Sequence, residues 1–200
     1  MQRKVFDLLV SAGGVLVVIV LLVAGALLLW GYNFANSNVH DQLAQQQIVF
    51  PSKAALANAK PGGEITPGMI PYLEKYAGQQ LLTGPQAEAY ANHFIAVHLS
   101  EMPYGGVYSK LSAASRANPS DKALAAEVQT AFQGTTLRGL LLEAYAFSTF
   151  GMIAFWAAIA SFCGALVMAI LVGFGFWHAW RTSEREELIV HKATHGVQAS

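Results

Sequence analysis

Three residues on one predicted helix have side chains that could bind a metal ion, namely His93, His98 and Glu101. Pairs of helical ligands favour spacings of three or four residues, which place both side chains on one face of the helix. The two histidines are five residues apart, so their rings are expected about 140° apart around the helix axis. His98 and Glu101 have a suitable spacing, but two ligands do not complete a metal site. We therefore expect surface or interface histidines and no bound metal.

A nucleophilic enzyme site is likewise not indicated. Serines, His93 and Asp121 occur in the middle of the chain, but a segment of this length contains such residues by chance. The sequence has no G-x-S-x-G nucleophile elbow, no P-loop and no G-x-G-x-x-G motif. We expect no catalytic residue, no cofactor, no soluble substrate and no enzymatic activity.

These residues belong to a chain whose composition is unusual for a soluble protein. Of its 200 residues, 54% are hydrophobic and 12% are charged, whereas about 25% of the residues of a typical soluble protein are charged. Twelve basic and twelve acidic residues give a formal net charge of zero, so the chain lacks the positive field that a phosphate backbone attracts. The single cysteine cannot form an internal disulfide. The composition argues against nucleic-acid binding and favours a membrane protein.

Two long uncharged runs predict two transmembrane helices. No formally charged residue occurs from Leu8 to Val39, or from Ala144 to Trp177, and each run exceeds the roughly 20 apolar residues that a span requires. The first run is also longer than the apolar region of a secretory signal peptide, about 7–15 residues, so we expect it to be retained. We assign residues 8–34 to the first span and residues 144–180 to the second.

Basic residues close to the spans predict the orientation of the chain. Arg3 and Lys4 precede the first span, and Arg181 and Arg185 follow the second. These residues favour cytoplasmic ends, although Arg138, just before the second span, counts against this orientation. We expect a multi-pass protein of the plasma membrane with both termini in the cytoplasm.

This topology divides the chain into a short cytoplasmic N-terminus (residues 1–7), a cytoplasmic tail (residues 181–200) and an extracytoplasmic domain (residues 35–143). The domain is large enough to form a modest hydrophobic core. Its first part is rich in proline and glycine, which favours irregular structure. Ile48 to Pro51 within that part is apolar and predicts an extended anchoring segment.

Three stretches of the domain predict helices, and no strand-like alternation occurs. Pro71 suits the first position of a short helix. Residues 86–102 repeat apolar side chains at the spacing of an amphipathic helix. Residues 118–121 offer capping side chains for a third helix, which we expect to break near Gly134. The predicted fold class is therefore an all-α membrane protein with two transmembrane helices on either side of a helical domain.

The second span carries a regular row of small residues. A small side chain occurs at every fourth position, which could form a shallow ridge for close approach by another membrane helix. The alternative is that an alanine-rich and glycine-rich span produces such a row by composition. We predict a helix-packing interface at the five positions Ala157, Ser161, Ala165, Ala169 and Gly173.

Two segments carry a resemblance to a known family. LTGPQAEAYANHFI at residues 82–95, and TLRGLLL at residues 136–142 leading to Thr149-Phe150-Gly151, resemble a family of small actinobacterial two-span membrane proteins. Some of those proteins are similar to accessory subunits of the cytochrome bcc–cytochrome oxidase respiratory supercomplex. Together with the spans, the resemblance covers most of the chain, and it implies no catalytic motif.

Two functions remain open at this point. The first is a noncatalytic accessory subunit that stabilises a large membrane complex, with other integral membrane subunits and the lipid bilayer as its partners. The second is a self-contained envelope protein whose extracytoplasmic helical domain binds a lipid or another apolar ligand.

Overall fold

The structure is a computed structural model that describes residues 3–181, with side chains from Val5 onward. Within these residues all regular structure is helical, and no β-strand occurs apart from one isolated antiparallel bridge between Val49 and Gln80. The predicted all-α class is therefore confirmed for the described part of the chain. The α-helices are α1 (Arg3–Gln46), α2 (Lys53–Ala57), α3 (Ile70–Leu73), α4 (Gly84–Tyr90), α5 (Ala96–Glu101), α6 (Tyr108–Ala117) and α7 (Lys122–Arg181).

Helices α1 and α7 are long and apolar enough to cross a membrane. At 44 and 60 residues they extend about 66 and 90 Å, whereas the hydrocarbon core of a bilayer is about 30 Å thick. Each helix therefore has enough length for a crossing and for a further segment outside it. The prediction of two helices with the dimensions of a span is confirmed.

The first of two compact units combines α1 up to Leu29 with α7 from Phe155 onward, and we call it the helix pair. The two segments are antiparallel, since Ser11 lies against Gly175 while Gly25 lies against Phe162. The less exposed residues of α1 recur at alternating intervals of three and four, as in a coiled-coil seam. The residues of α1 that follow this spacing include Ser11, Gly14, Val18, Leu21 and Gly25.

The second unit, Trp30–Ala154, contains the hydrophobic core of the chain. Val39 and Leu43 of α1 and Leu141 of α7 pack in one cluster with residues from the segments between the two long helices. The remaining buried members are Phe50, Leu56, Met69, Leu73, Leu81, Ala87, Ala91 and Ile95.

The apolar segment from Ile48 to Pro51 is extended, as predicted. The Phe50 amide donates a hydrogen bond to the Gln79 carbonyl (2.9 Å), and the Leu81 amide donates one to the Ile48 carbonyl (2.9 Å). These bonds seat the Phe50 ring in the core, where it is 2% exposed.

Local capping explains where α4 begins. The Thr83 hydroxyl accepts a hydrogen bond from the Gln86 amide, and the Gln86 side chain accepts one from the Thr83 amide (3.0 Å), which is a capping box. Pro85 occupies an early helical position, where the missing N–H costs nothing. Gly84 is buried against Tyr145 and Ser148 of α7, so a side chain at residue 84 would separate the two helices.

The predicted break near Gly134 is wrong, because α7 is a single helix from Lys122 to Arg181. Glycine costs about 1 kcal/mol relative to alanine inside a helix, which is too little to break one whose apolar face packs on a core. Gly134 instead permits a close approach, since a Cβ built there would lie 2.9 Å from Cδ2 of Leu99. Helices α2 and α6 were not predicted either.

Candidate functional site

The five predicted ridge residues do not share one environment. Ala165 is 2% exposed and lies within the helix pair, while Ala157 and Ser161 are half-buried. Ala169 and Gly173 are exposed, and no atom lies within 4 Å of a Cβ built on Gly173. An interface between these five residues and a partner stays a prediction.

The reason for the divided ridge is the helical period. Four residues turn a helix by about 400°, so a row of every fourth residue drifts about 40° per step and about 160° from Ala157 to Gly173. The seam of α7 follows intervals of three and four instead, and its buried positions include Ala158, Ala165 and Ala179. Ala158 and Ala165 are seven residues apart and Ala179 follows after fourteen more, with Val172 between them, so small residues alone mark this seam incompletely in the sequence.

The second unit, Trp30–Ala154, is called the helical unit below. A surface patch lies on it where the turn before α6 meets α7. Tyr104 has positive φ (57°), as have Gly105 and Gly106, and this turn holds the Tyr104 side chain 56% exposed. The rings of Tyr108 and Phe132 lie 5.7 Å apart between centroids, and Phe132 is 50% exposed. We call the four exposed residues Tyr104, Val107, Tyr108 and Phe132 the aromatic patch.

An open groove of about 500 Å³ lies in the same unit. Its walls come from the segment between α4 and α6 and from α7, and Glu64 adds to them from the segment between α2 and α3. Gly134 allows Leu99 to lie close to α7. Most of the lining is apolar. The lining residues are Glu64, Phe94, Ile95, His98, Leu99, Met102, Thr130 and Gly134.

A π-helical turn, Ala91–Ile95, connects α4 to α5 and supplies two residues that line this groove, Phe94 and Ile95. Such turns occur frequently at functional sites because the wider helix redirects side chains. Phe94 stacks between Tyr90 (4.7 Å between ring centroids) and His98 (4.5 Å). Burial raises the pKa of the Tyr90 phenol above its usual value, and the negative charge of Glu64 raises it further.

The polar groups of the groove have defined hydrogen bonds. Nδ1 of His98 lies 2.7 Å from the carbonyl oxygen of Phe94, and because a carbonyl accepts only, this assigns the proton to Nδ1. The Thr130 hydroxyl donates to the Ala126 carbonyl (3.2 Å) on its own helix. Glu64 lies on the exposed rim.

A polar chain connects the π-helical turn to α7. Arg138 donates a hydrogen bond to the Asn92 side-chain oxygen (2.9 Å), and the Asn92 amide donates to the Glu88 carboxylate (2.9 Å). Nε of Arg138 is buried and has no hydrogen-bond partner among the described residues. These hydrogen bonds hold the π-helical turn that lines the groove. In the sequence, the signal for this contact was a single arginine next to the second span.

The residues considered for metal binding and catalysis have structural contacts instead. His93 stacks on Tyr72, with ring centroids 3.4 Å apart. The Asp121 carboxylate accepts a hydrogen bond from the Leu124 amide (2.9 Å) and thus caps α7. Within residues 3–181 no three His, Cys, Asp or Glu side chains form a group that could hold a metal ion.

Comparison with known proteins gives a short result. Protein-family models, curated proteins and solved structures contain no match to this chain.

Proposed function

We propose that the chain is a noncatalytic accessory subunit of a large membrane complex. In this proposal α1 and α7 each cross the plasma membrane, both termini are cytoplasmic, and the helical unit is extracytoplasmic. The partners are other integral membrane subunits and the lipid bilayer. The resemblance of residues 82–95 and 136–151 to actinobacterial two-span proteins favours the respiratory supercomplex as the complex.

The outward surface of the helix pair supports the membrane part of the proposal. Large apolar side chains such as Leu16, Leu27 and Leu166 are 62–64% exposed there. A continuous apolar surface of this kind is unfavourable in water. Lipid chains, or the helices of another membrane subunit, would cover it.

The aromatic patch is the single observation that carries the accessory-subunit proposal. Phe132 precedes the predicted start of the second span by twelve residues, which is about 18 Å along a helix. The headgroup layer is thinner than this, about 5–8 Å on each side, so the bilayer would not cover the patch. Exposed tyrosine and phenylalanine rings are enriched among the residues that dominate protein interfaces.

The proposed role of the subunit is stabilisation. The patch would dock on an extracytoplasmic surface of the complex while α7 packs on a membrane subunit. No side chain of the patch has a chemical group suited to catalysis beyond two phenols, so docking would add buried apolar area and no reaction.

Copurification tests this proposal directly. The tagged full chain is isolated in mild detergent from its native membranes, and the haem absorbance per chain is measured. Phe132→Gln should reduce the haem per chain at least about tenfold, as expected for an interface residue worth 2 kcal/mol or more. Tyr72→Gln, which changes an exposed aromatic residue of the same unit outside the patch, is the control and should behave as wild type. Unchanged haem in the Phe132 variant would contradict docking through the patch.

The second function, a ligand-binding envelope protein, is favoured by a different observation, the groove. The groove and the aromatic patch have no residue in common. A ligand site is therefore compatible with docking.

A further inference from the structure

We propose that the groove beside the π-helical turn binds a neutral single-chain lipid with a hydroxylated head group, of which a monoacylglycerol is the simplest example. This inference does not depend on the accessory-subunit proposal. It follows from the combination of an apolar wall, hydrogen-bond acceptors at the polar positions, and one negative charge at the rim.

The apolar part of the groove is suited to a hydrocarbon chain. Phe94, Ile95, Leu99 and Met102 line it, and Leu99 packs closely against Gly134 of α7. Its volume of about 500 Å³ falls within the range of small-molecule sites, about 300–1,000 Å³. The methionine adds an adaptable wall, which suits flexible chains.

The polar lining groups are acceptors. When the His98 ring is neutral, its proton is on Nδ1 and bonds to the Phe94 carbonyl, so the lone pair on Nε2 can accept a hydrogen bond. The Thr130 hydroxyl has its proton on the Ala126 carbonyl, so its oxygen can accept another hydrogen bond. The Glu64 carboxylate accepts only. A ligand that satisfies these groups must donate hydrogen bonds, as hydroxyl groups do.

The charge at the groove selects against anionic lipids. Among the described residues that line the groove, Glu64 is acidic and none is a lysine or an arginine. A fatty-acid carboxylate or a phosphate group would therefore lie near a negative charge without a compensating cation. A glycerol head group with two free hydroxyls has the required donors and no charge.

Native mass spectrometry of the full chain in detergent provides the test. The protein is mixed with 1-monopalmitoylglycerol and palmitate at equal concentrations, at a pH where palmitate is ionised, and the two adducts are counted. The monoacylglycerol adduct should exceed the palmitate adduct by about tenfold or more. Equal adducts, a preference for palmitate, or no monoacylglycerol adduct would overturn the proposal.

Two substitutions test the polar groups separately. His98→Phe keeps an aromatic ring beside Phe94 and removes the Nε2 acceptor, so monoacylglycerol binding should fall about three- to tenfold. Glu64→Gln removes the charge and should raise the palmitate adduct while the monoacylglycerol adduct changes less than twofold. If neither substitution alters the ratio of the two adducts, the head group is not recognised at these residues and the proposal is wrong.

A matched pair of threonines tests the location. Thr130 lines the groove, whereas Thr135 is an exposed residue of the same helix outside the lining. Thr130→Phe should obstruct the groove and abolish the monoacylglycerol adduct, and Thr135→Phe should leave it at the wild-type level. If both variants lose the monoacylglycerol adduct equally, or if neither loses it, the lipid binds elsewhere.

Discussion

Gly25 of α1 lies against the ring of Phe162 on α7. A Cβ built on Gly25 would be 2.8 Å from Cε1 of the phenylalanine, which is shorter than real side chains allow, and Gly25 is buried. The missing side chain lets the two helices approach closely, as small residues do where membrane helices associate. A side chain at residue 25 would require the Phe162 ring, or the two helices, to move apart.

Replacing this glycine should separate the helices. Gly25→Leu places a side chain where the Phe162 ring lies. The distance between nearby residues of α1 and α7 should therefore increase. Leu21 and Gly164 are in contact nearby. With cysteines at both positions and Cys163→Ala as background, crosslinking by a short bifunctional thiol reagent should fall several-fold.

The control for this experiment is Gly13→Leu. Gly13 is an exposed position of the same helix, and no atom lies within 4 Å of a Cβ built there. Crosslinking should match that of the unsubstituted pair. If Gly25→Leu crosslinks as well as Gly13→Leu, the packing at Gly25 does not hold the pair together.

The predicted orientation can be tested by thiol labelling in intact cells. In a Cys163→Ala background, a cysteine at Ser109 on the exposed surface of α6 should react with an impermeant reagent. A cysteine at Ser200, which lies outside the described residues, should be protected until the cells are opened. Labelling in the opposite order would mean that Arg138, and not the terminal basic residues, indicates the cytoplasmic side.

The hydrogen bond between Arg138 and Asn92 should stabilise the π-helical turn. Arg138→Met keeps a long apolar stem and removes the donors, at an expected cost of roughly 1–3 kcal/mol. Amide hydrogen exchange of the full chain in detergent should then be about tenfold faster over residues 84–101. Arg116→Met is the control, because its guanidinium donates to Ser112 on its own helix. Equal exchange in the two variants would show that the Asn92 contact contributes no stability.

Ionisation of Tyr90 should destabilise the helical unit at alkaline pH. Burial and the Glu64 charge raise the pKa of the folded tyrosine above its usual value of 10.0. The unfolded chain therefore loses this proton first, so above about pH 10 it binds fewer protons than the folded chain and stability falls as pH rises. This part of the stability is fully present below about pH 10 and is lost as pH rises through the folded pKa.

Thermal unfolding of the full chain in detergent at pH 9 and pH 11 measures this effect. Tyr90→Phe should show a smaller decrease in melting temperature between the two pH values than the wild type. Tyr104→Phe, on the exposed turn, should retain the wild-type decrease. A Tyr90 variant with the full wild-type decrease would assign the alkaline sensitivity to other groups.

The sequence predicted the features that depend on composition and on a single helical period. Uncharged apolar runs identified α1 and α7, and the apolar repeat identified the segment that became α4, the π-helical turn and α5. Phe94 is one of the apolar residues of that repeat. It packs against the core but is half-buried, because its ring also forms a wall of the groove.

Features that depend on distant residues could not be predicted in the same way. The groove requires Thr130 and Gly134 to lie beside Phe94 and Leu99, more than thirty residues earlier in the chain. The aromatic patch likewise depends on Phe132 reaching Tyr108. In helix α6, Leu111 is the buried residue, and most of its other apolar residues are alanines, which mark a core-facing side less clearly than larger side chains.

If the chain is a subunit of a larger respiratory complex, as we propose, its native size should show this. Native membranes are solubilised in mild detergent and separated on a native gel, and peptides of the chain and haem absorbance are quantified in each slice. The account predicts that the peptides peak with the haem, far above the 21.4 kDa of the chain. A peak at the size of a monomer or small homo-oligomer, in slices without haem, would contradict it.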